Sequence, residues 1–277
     1  MGDGHAVEPP VRPPRIIATD LDGTLLRSDG SLSDRTRTAI AAAEEVGIET
    51  VFVTARPPRW LDGLADAVGA HGIALCGNGA FVYDVPTRTV TEQYPLEREL
   101  LHELVAELRD AVPDIAFAVE RADGLGREDT FVYRSEQPDL HTVGSLAELT
   151  SSPVGKLLGR CEHLEPNAFL ERVVAVLAGR AELGFSGASG LAEITAPGVT
   201  KAAGLARWCV ERGLGANDVW AFGDMPNDLP MLQWAGTSFA VRNAHTDVLA
   251  VAHHVCPAND DDGVAQTLEF LLQGVSE

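Results

Sequence analysis

Lysine is nearly absent from this chain of 277 residues: only Lys156 and Lys201 occur, and the other basic residues are arginines. Lys and Arg together number 21 against 41 Asp and Glu, which gives a net charge of −20. A surface this acidic repels nucleic acids and anionic membranes. We therefore expect neither as a partner, and any anionic ligand must meet a local positive site.

Long apolar runs and paired cysteines are missing as well. No stretch approaches the roughly 20 apolar residues that a membrane-spanning helix needs. Cys76, Cys161, Cys209 and Cys256 lie far apart and form no CxxC pair, so neither a zinc cluster nor a disulfide framework is indicated. Residues 1–14 are rich in Gly and Pro and lack the basic-then-apolar order of a signal peptide. We expect a flexible N-terminal tail, reduced thiols and a cytoplasmic location.

The stretch that follows this tail carries the sharpest signal in the chain. Residues 16–18 form an apolar run without alternation, which is typical of a strand buried on both faces of a parallel sheet. The run stops at Asp20, and Asp22 and Gly23 follow. Ligands of open α/β sheets bind at the carboxyl ends of the strands, so Asp20 is placed for chemistry. Asp-Gly between apolar runs is also a hairpin signal, and this stretch alone leaves both interpretations open.

Strand and helix patterns alternate in the first part of the chain. Strand patterns at 16–18, 48–54 and 72–76 are separated by helical patterns at 35–46 and 60–68. This order is typical of a doubly wound parallel sheet. The predicted fold class is therefore α/β, with a doubly wound, mostly parallel, Rossmann-like core sheet.

A central segment of different character interrupts this alternation. Its helical patterns cover 98–111 and 166–177, and its strand patterns cover 115–120, 130–133, 154–158, 183–186 and 191–195. Such an order predicts an inserted α+β domain with a largely antiparallel sheet. We expect a core formed by 15–84 and 196–277, an inserted cap domain at 85–195, and the tail at 1–14.

Polar side chains stand at predicted strand ends and helix starts. They are Asp20 with Asp22, Thr54, Lys201, and Asp224 with Asn227 and Asp228. Carboxylates are the ligands that Mg²⁺ prefers, and hydroxyl and ammonium groups suit phosphate oxygens. A deprotonated acid can attack phosphorus and divide one hard displacement into two easier ones. Taken singly, Thr54 could end a strand and Lys201 could be a solvated helix residue, but the joint occurrence favours one phosphate site.

At these positions the chain resembles the haloacid dehalogenase superfamily, and within it the Cof-type phosphatases with a class IIB cap. Residues 20–25 (Asp-Leu-Asp-Gly-Thr-Leu) resemble the first motif of the family, and residues 223–228 (Gly-Asp-Met-Pro-Asn-Asp) resemble the fourth. Thr54 and Lys201 match the second and third motifs by position. The 147 positions between Thr54 and Lys201 accommodate an inserted domain of about 110 residues, which places the cap between these two motifs.

The resemblance implies a role for each matching residue. Asp20 is implied as the nucleophile and Asp22 as the general acid and base. Mg²⁺ is implied to bind the carboxylates of Asp20 and Asp224 and the backbone carbonyl of Asp22. The phosphoryl oxygens are implied to contact Thr54, Lys201, Asn227 and the backbone amides of Leu21 and Ala55, while Asp228 orients Lys201 or the metal-bound waters. Ala55 stands where many relatives carry Gly, a mild departure that keeps the amide.

We therefore expect a Mg²⁺-dependent phosphatase that hydrolyses small phosphorylated metabolites through an aspartyl-phosphate intermediate, as a monomer or homodimer. Sugar phosphates lead the expected substrates, ahead of nucleotides and cofactor phosphates. One alternative is a sugar phosphomutase or a dedicated sugar-phosphate phosphatase. Another is a non-enzymatic binder of phosphometabolites, which would not need the second acid of the first motif.

Several other basic residues have two open interpretations. Arg56, directly after the second motif, either reaches the substrate or pairs with an acid. In the predicted cap, Lys156, Arg121, Arg127 and Arg160 either contact the leaving group or belong to a solvated face.

Overall fold

The fold is taken from a computed structural model, which describes residues 13–67, 72–134, 141–184 and 189–275. The chain forms one eight-stranded and one six-stranded sheet. We call the unit built on the larger sheet the core and the unit built on the smaller sheet the cap. None of the helices in these ranges combines the length and the apolar character that crossing a membrane requires.

Strands and helices are numbered in chain order. The strands are β1 (Ile16–Thr19), β2 (Glu49–Val53), β3 (Ile73–Cys76), β4 (Phe81–Asp84), β5 (Thr89–Gln93), β6 (Ala116–Arg121), β7 (Gly124–Arg127), β8 (His141–Val143), β9 (Lys156–Arg160), β10 (Glu182–Gly184), β11 (Leu191–Thr195), β12 (Val219–Gly223), β13 (Thr237–Val241) and β14 (His254–Cys256). The helices are α1 (Asp34–Glu45), α2 (Arg98–Ala111), α3 (Leu146–Leu149), α4 (Pro166–Leu177), α5 (Lys201–Glu211), α6 (Leu229–Trp234), α7 (Thr246–Val251) and α8 (Gly263–Val275).

The core sheet has the strand order β14-β13-β12-β1-β2-β3-β4-β5. All neighbours from β14 to β3 run parallel, whereas β4 and β5 are antiparallel additions at one edge. The chain runs outward from β1 in one direction and from β12 in the other, so these two central strands form the topological switch point. Ligands of open α/β sheets bind at the carboxyl ends of the strands at such a point.

Burial explains why β1 occupies the centre. All four residues of β1 are buried, as its uninterrupted apolar run predicts. β1 pairs in parallel with both β2 and β12, so the hairpin interpretation of the following Asp-Gly pair is wrong. The predicted doubly wound fold with an inserted α+β cap is confirmed.

The cap sheet has the order β10-β11-β9-β6-β7-β8 and is antiparallel except for the pair β7 and β8. Successive side chains of a strand alternate between its two faces. Phe117 and Val119 of β6 belong to the main hydrophobic cluster, while Ala116 and Ala118 belong to a second, smaller one. The face of the smaller cluster, which we call the open face, therefore also carries Glu120.

Neighbouring strands contribute further polar residues to the open face. Leu158 of β9 and Leu191 of β11 pack with the smaller cluster, so the residues two positions away share their face. These are Lys156 and Arg160 on β9 and Glu193 on β11. All three are buried, so the solvated-face interpretation of Lys156 and Arg160 is wrong.

The predicted and observed bounds of an element agree best where its sequence pattern is long and periodic. α2, α4 and β11 begin and end where predicted. The 60–68 pattern forms two short 3₁₀ turns, Pro58–Trp60 and Asp62–Ala67, and residue 68 lies outside the described residues.

Several cap strands were predicted wrongly or not at all. Residues 130–133 form no strand, and β10 ends at Gly184, beyond which residues 185–188 are outside the described residues. β7 contains two glycines and β8 is fully exposed, so neither shows an apolar signal.

The edge strand β5 extends the core beyond its predicted boundary. β5 alternates between half-buried and exposed residues and pairs with β4 in the core sheet. The core sheet therefore reaches Gln93, beyond the predicted core boundary at residue 84. The predicted division into tail, core and cap otherwise stays a prediction.

Candidate active site

Asp20 and Asp224 lie at the carboxyl ends of the two central strands. We call the segment that follows β1 the first loop and the segment that follows β2 the second loop. Asp20 follows β1 and is 5% exposed, and Asp224 follows β12 and is 7% exposed. Thr24 Oγ1 donates a hydrogen bond of 2.9 Å to Asp224 Oδ1. Gly23 has φ +78°, and a Cβ atom there would lie 2.4 Å from Asp224 Oδ2. Only glycine therefore allows this close approach.

Replacement of Gly23 by Ala tests this approach. We expect the free energy of unfolding to fall by roughly 1–3 kcal/mol from backbone strain, with a further loss from the contact with Asp224. Denaturant unfolding measures both. Gly30→Ala is the matched control, because Gly30 has φ +80° but no atom within 4 Å of its built Cβ. Equal losses in the two variants would show that the contact with Asp224 is unimportant.

Lys201, the first residue of α5, joins two acids of the site. Its Nζ donates to Asp20 Oδ1 at 2.6 Å and to Asp228 Oδ1 at 2.7 Å, and the residue is 3% exposed. The other oxygen of Asp228 accepts the backbone amides of Asp224 and Met225, each at 3.1 Å. Both oxygens of Asp228 are therefore occupied by protein donors.

The site holds more negative than positive charge. Burial raises the pKa of Asp20 to about 8, although Lys201 opposes this shift. Burial and the Asp228 carboxylate raise the pKa of Asp224 to about 6. Burial alone would lower the pKa of Lys201, but Asp20 and Asp228 outweigh it and raise it above its usual value. A bound cation would relieve this surplus of negative charge.

Asp20, Asp224 and Asp228 each place one carboxylate oxygen within 4.8 Å of the other two, so the three side chains could together hold a metal ion. Because Lys201 and two amides already occupy Asp228, its carboxylate fits a supporting role. Asp20 and Asp224 then remain as the candidate carboxylate ligands.

The raised pKa values predict how the stability of the metal-free protein depends on pH. The folded state holds more protons than the unfolded state above about pH 4. The free energy of unfolding should therefore fall as pH rises from about 4 to the higher of the two pKa values, about 8 for Asp20. The fall should be steeper below about pH 6, the pKa of Asp224, because both carboxyls contribute there. Denaturant unfolding in metal-free buffer measures the slope. An Asp20→Asn/Asp224→Asn double variant is the control, because it lacks these two carboxyls and keeps every other ionisable side chain. Equal slopes would contradict the prediction.

Thr54 follows β2, beside β1 in the sheet, and is 1% exposed. Its Oγ1 accepts the backbone N–H of Arg56 at 3.1 Å, and its backbone oxygen accepts the amide of Asn78 at 2.9 Å. The hydroxyl donates to no acceptor among the described residues. The second loop therefore presents a fixed O–H donor at the same edge of the sheet as Asp20.

Arg56 pairs with an acid, which decides between its two predicted roles. Its Nε and Nη2 donate to the two carboxylate oxygens of Asp22 at 2.7 and 2.5 Å. The Asp22 side chain is 59% exposed, so it lies at the mouth of the site rather than in the buried cluster. The bidentate pair links the first and second loops.

The remaining predicted contacts lie on the same loops. Leu21 is buried at the start of the first loop, and the Ala55 carbonyl accepts a hydrogen bond from Lys156 Nζ at 2.8 Å. Asn227 lies in the turn Pro226–Asp228. Its Oδ1 is buried and has no hydrogen-bond partner in the described part of the chain, which makes it a candidate ligand group.

Comparison with known proteins assigns this arrangement to a family. The family of haloacid dehalogenase-like hydrolases matches residues 17–268. The chain belongs to this family. The match includes β12, all of β1 except its first residue, and every candidate site residue, so the family predicted from the motifs is confirmed.

Curated relatives of this hydrolase are named as phosphatases. Pyridoxal phosphate phosphatase YbhA of Escherichia coli is 29% identical over 91% of this chain and 96% of its own length. The 5-amino-6-(5-phospho-D-ribitylamino)uracil phosphatase YcsE of Bacillus subtilis is 27% identical over 92% of this chain and 94% of its own length. These relatives support the predicted phosphatase class.

A solved structure supports the predicted cap class. The subclass IIB sugar phosphatase BT4131 superposes with a TM-score of 0.75 at 20% identity, covering 92% of this chain and 98% of that protein. At this identity the likeness concerns the fold. It confirms a class IIB architecture for the hydrolase, with the cap inserted between the second and third motifs.

Three contacts of the hydrolase site were not predicted from its sequence. Thr24 lies within the first motif but was given no role. Asn78 lies in the turn after β3, and the rule that placed Thr54 at a strand end could have found it. The rarity of lysine singles out Lys156 in the sequence, but the sequence does not show that Lys156 donates to the Ala55 carbonyl.

Proposed function

We propose that this hydrolase is a Mg²⁺-dependent phosphatase of small phosphomonoesters that works through an aspartyl phosphate on Asp20. The proposal rests on the buried Lys201 ammonium, which lies between the carboxylates of Asp20 and Asp228 at 2.6 and 2.7 Å. This arrangement sets a nucleophile beside a charge that binds anions. Phosphoryl transfer needs both, because a carboxylate and a phosphoryl group repel each other.

The residues present fit a bound Mg²⁺. Asp20 and Asp224 supply hard oxygen donors, and burial has raised the pKa of both above its usual value, so a cation would be stabilising there. We propose these two carboxylates, with the backbone carbonyl of Asp22, as the protein ligands. When bound, the ion would neutralise negative charge that develops on the transferred group.

Asp20 and Asp22 divide the chemical steps between them. Asp20 attacks phosphorus, and Asp22 gives a proton to the departing alkoxide. Asp22 then takes a proton from the water that hydrolyses the aspartyl phosphate. Arg56 donates to both oxygens of Asp22, and each oxygen keeps a second lone pair that can carry the proton.

The phosphoryl oxygens would be held by donors from four loops. The Thr54 hydroxyl has its own acceptor role filled by a backbone amide, so its O–H remains to donate. Lys201 supplies the charge, and the backbone amides of Leu21 and Ala55 supply further donors. The side-chain amide of Asn227, in the turn Pro226–Asp228, completes the proposed set by donating through its Nδ2.

The core contacts concern only the phosphoryl group, so the cap must select the leaving group. We propose sugar phosphates as the first class to test. The names of the two curated relatives add pyridoxal phosphate and a phosphorylated ribitylaminouracil to the panel. Cytoplasmic location and a monomeric or homodimeric state stay predictions.

A phosphate-release screen tests the proposed function. The protein is incubated with Mg²⁺ and a panel of sugar, nucleotide and cofactor phosphates, and Asp224→Asn provides the control for the metal site. We expect release that chelation removes and that Mg²⁺ restores. Turnover that is insensitive to chelator would contradict the metal, and absence of release from every ester would contradict the phosphatase.

The fate of a labelled phosphoryl group separates hydrolysis from the mutase alternative. With a labelled hexose phosphate, a phosphatase sends the label to inorganic phosphate. Label recovered in an isomeric sugar phosphate would identify a phosphomutase instead.

A further inference from the structure

The cap touches the second loop through a buried ammonium. Lys156, on the open face at the start of β9, donates to the Ala55 carbonyl at 2.8 Å and to Glu193 Oε2 at 2.5 Å. Lys156 and Glu193 are each 3% exposed. The ion pair between Lys156 and Glu193 lies within the cap and does not explain why Lys156 also donates to a carbonyl of the core.

The peptide between Ala55 and Arg56 is held at both ends. Its carbonyl accepts from Lys156 Nζ at 2.8 Å, and its N–H donates to Thr54 Oγ1 at 3.1 Å. The same peptide precedes the Arg56 side chain, which binds both oxygens of Asp22. Rotation of this one peptide would therefore disturb both the Thr54 hydroxyl and the partner of the general acid.

A second contact joins cap and core beside Lys156, through Glu120, which pairs with Lys156 in the register of β6 and β9. Arg59, four residues beyond Ala55, forms a salt bridge with Glu120 on the open face and hydrogen bonds to Tyr133 at 3.3 Å. Loss of Lys156 therefore leaves one cap-to-core anchor in place.

We propose that Lys156 is a positioning residue for phosphoryl transfer: through the Ala55 carbonyl, the cap fixes the peptide that orients Thr54 and Arg56. This inference rests on the proposed phosphatase function and adds a task for the cap beyond leaving-group choice. The loop reaches its working geometry only when the cap ammonium is in place. Misplacement of a phosphoryl-binding group by about 1 Å costs on the order of 100-fold in rate.

The test compares a single and a double variant. Lys156→Met removes the bond to Ala55 but also leaves Glu193 buried without this partner, which destabilises the protein. Lys156→Met/Glu193→Gln removes both charges and so relieves that defect. We expect kcat to fall roughly 10- to 100-fold in both variants, with a smaller change in KM. Recovery of kcat in the double variant would overturn the proposal in favour of a structural ion pair.

The choice of substrate separates positioning from recognition. Para-nitrophenyl phosphate and the best metabolite of the screen should lose kcat by the same factor, because the phosphoryl contacts are common to both. A loss confined to the metabolite would overturn the proposal and make Lys156 a leaving-group contact. For the hydrogen-exchange measurement, Arg160→Met is the matched control, since Arg160 is a buried cation on the same strand and face at the end of β9 away from Ala55.

Hydrogen exchange tests the link without any turnover. The Arg56 amide should exchange faster in Lys156→Met and in the double variant than in the wild type, and remain unchanged in Arg160→Met. Unchanged exchange in the Lys156 variants would overturn the positioning role. If the wild type hydrolyses no ester, the proposed function fails, whereas the exchange result still decides whether Lys156 holds the loop.

Discussion

Asp20→Asn is expected to abolish phosphate release while the protein remains folded. Loss of a covalent nucleophile costs on the order of 10⁴- to 10⁶-fold in kcat. The fold should tolerate the change, because burial raises the pKa of Asp20 to about 8, so an uncharged side chain suits this position. The Asn oxygen can still accept the Lys201 hydrogen bond, now 2.6 Å long. Phosphate release and thermal unfolding of the same preparation measure the two effects.

Asp22→Asn is the companion variant for this prediction. It keeps the nucleophile but removes the proposed acid and base, so a labelled phosphoryl group should accumulate on the protein when a substrate with a good leaving group is used. Asp20→Asn should show no such label. Turnover by Asp20→Asn near the wild-type rate would remove Asp20 from the role of nucleophile.

Lys201→Met is expected to damage stability and activity together. Lys201 is 3% exposed, and its ammonium bonds to Asp20 and Asp228. Its loss therefore removes the positive charge that these two buried carboxylates share. Removal of one partner of a buried ion pair costs about 3–5 kcal/mol of unfolding free energy. Activity should fall as well, because the phosphoryl group loses its positive contact. Denaturant unfolding and phosphate release at saturating Mg²⁺ measure the two losses.

A second substitution distinguishes charge from packing at Lys201. Lys201→Met/Asp228→Asn removes one buried negative charge and should recover part of the stability, but not the activity. Added Mg²⁺ should raise the melting temperature of Lys201→Met more than that of the wild type, since the carboxylates there lack a competing cation. Wild-type stability in Lys201→Met would show that the site does not depend on this ion pair.

The sequence predicted the positions of those site residues that directly follow a strand with a continuous apolar run. Asp20 and Asp224 each end a continuous apolar run, and apolar runs of this kind form the central parallel strands. The position of Thr54 follows from the same rule. Their assigned roles remain predictions, but the structure places them at one edge of the core sheet.

Contacts between distant segments escaped the sequence for a different reason. Arg56 had two open roles because local sequence does not say which acid a long side chain will reach. Its partner Asp22 lies 34 positions away, and Lys156 reaches Ala55 across 101 positions. Such contacts depend on how loops and domains pack, and the local sequence pattern does not show which distant segments come together.

The amino-acid sequence by itself indicated the fold class and placed acids and a lysine at predicted strand ends and helix starts, because hydrophobic periodicity and strand-end polarity are local properties. The family followed from the resemblance of two motifs, which the family match confirmed. Only the tertiary structure decided which charges neutralise each other: Lys201 joins Asp20 to Asp228, and Arg56 joins Asp22. It also decided that the cap reaches the second loop through Lys156. The physical reason is that electrostatic interactions depend on distance and burial, which the chain acquires only when its sheets and loops come together.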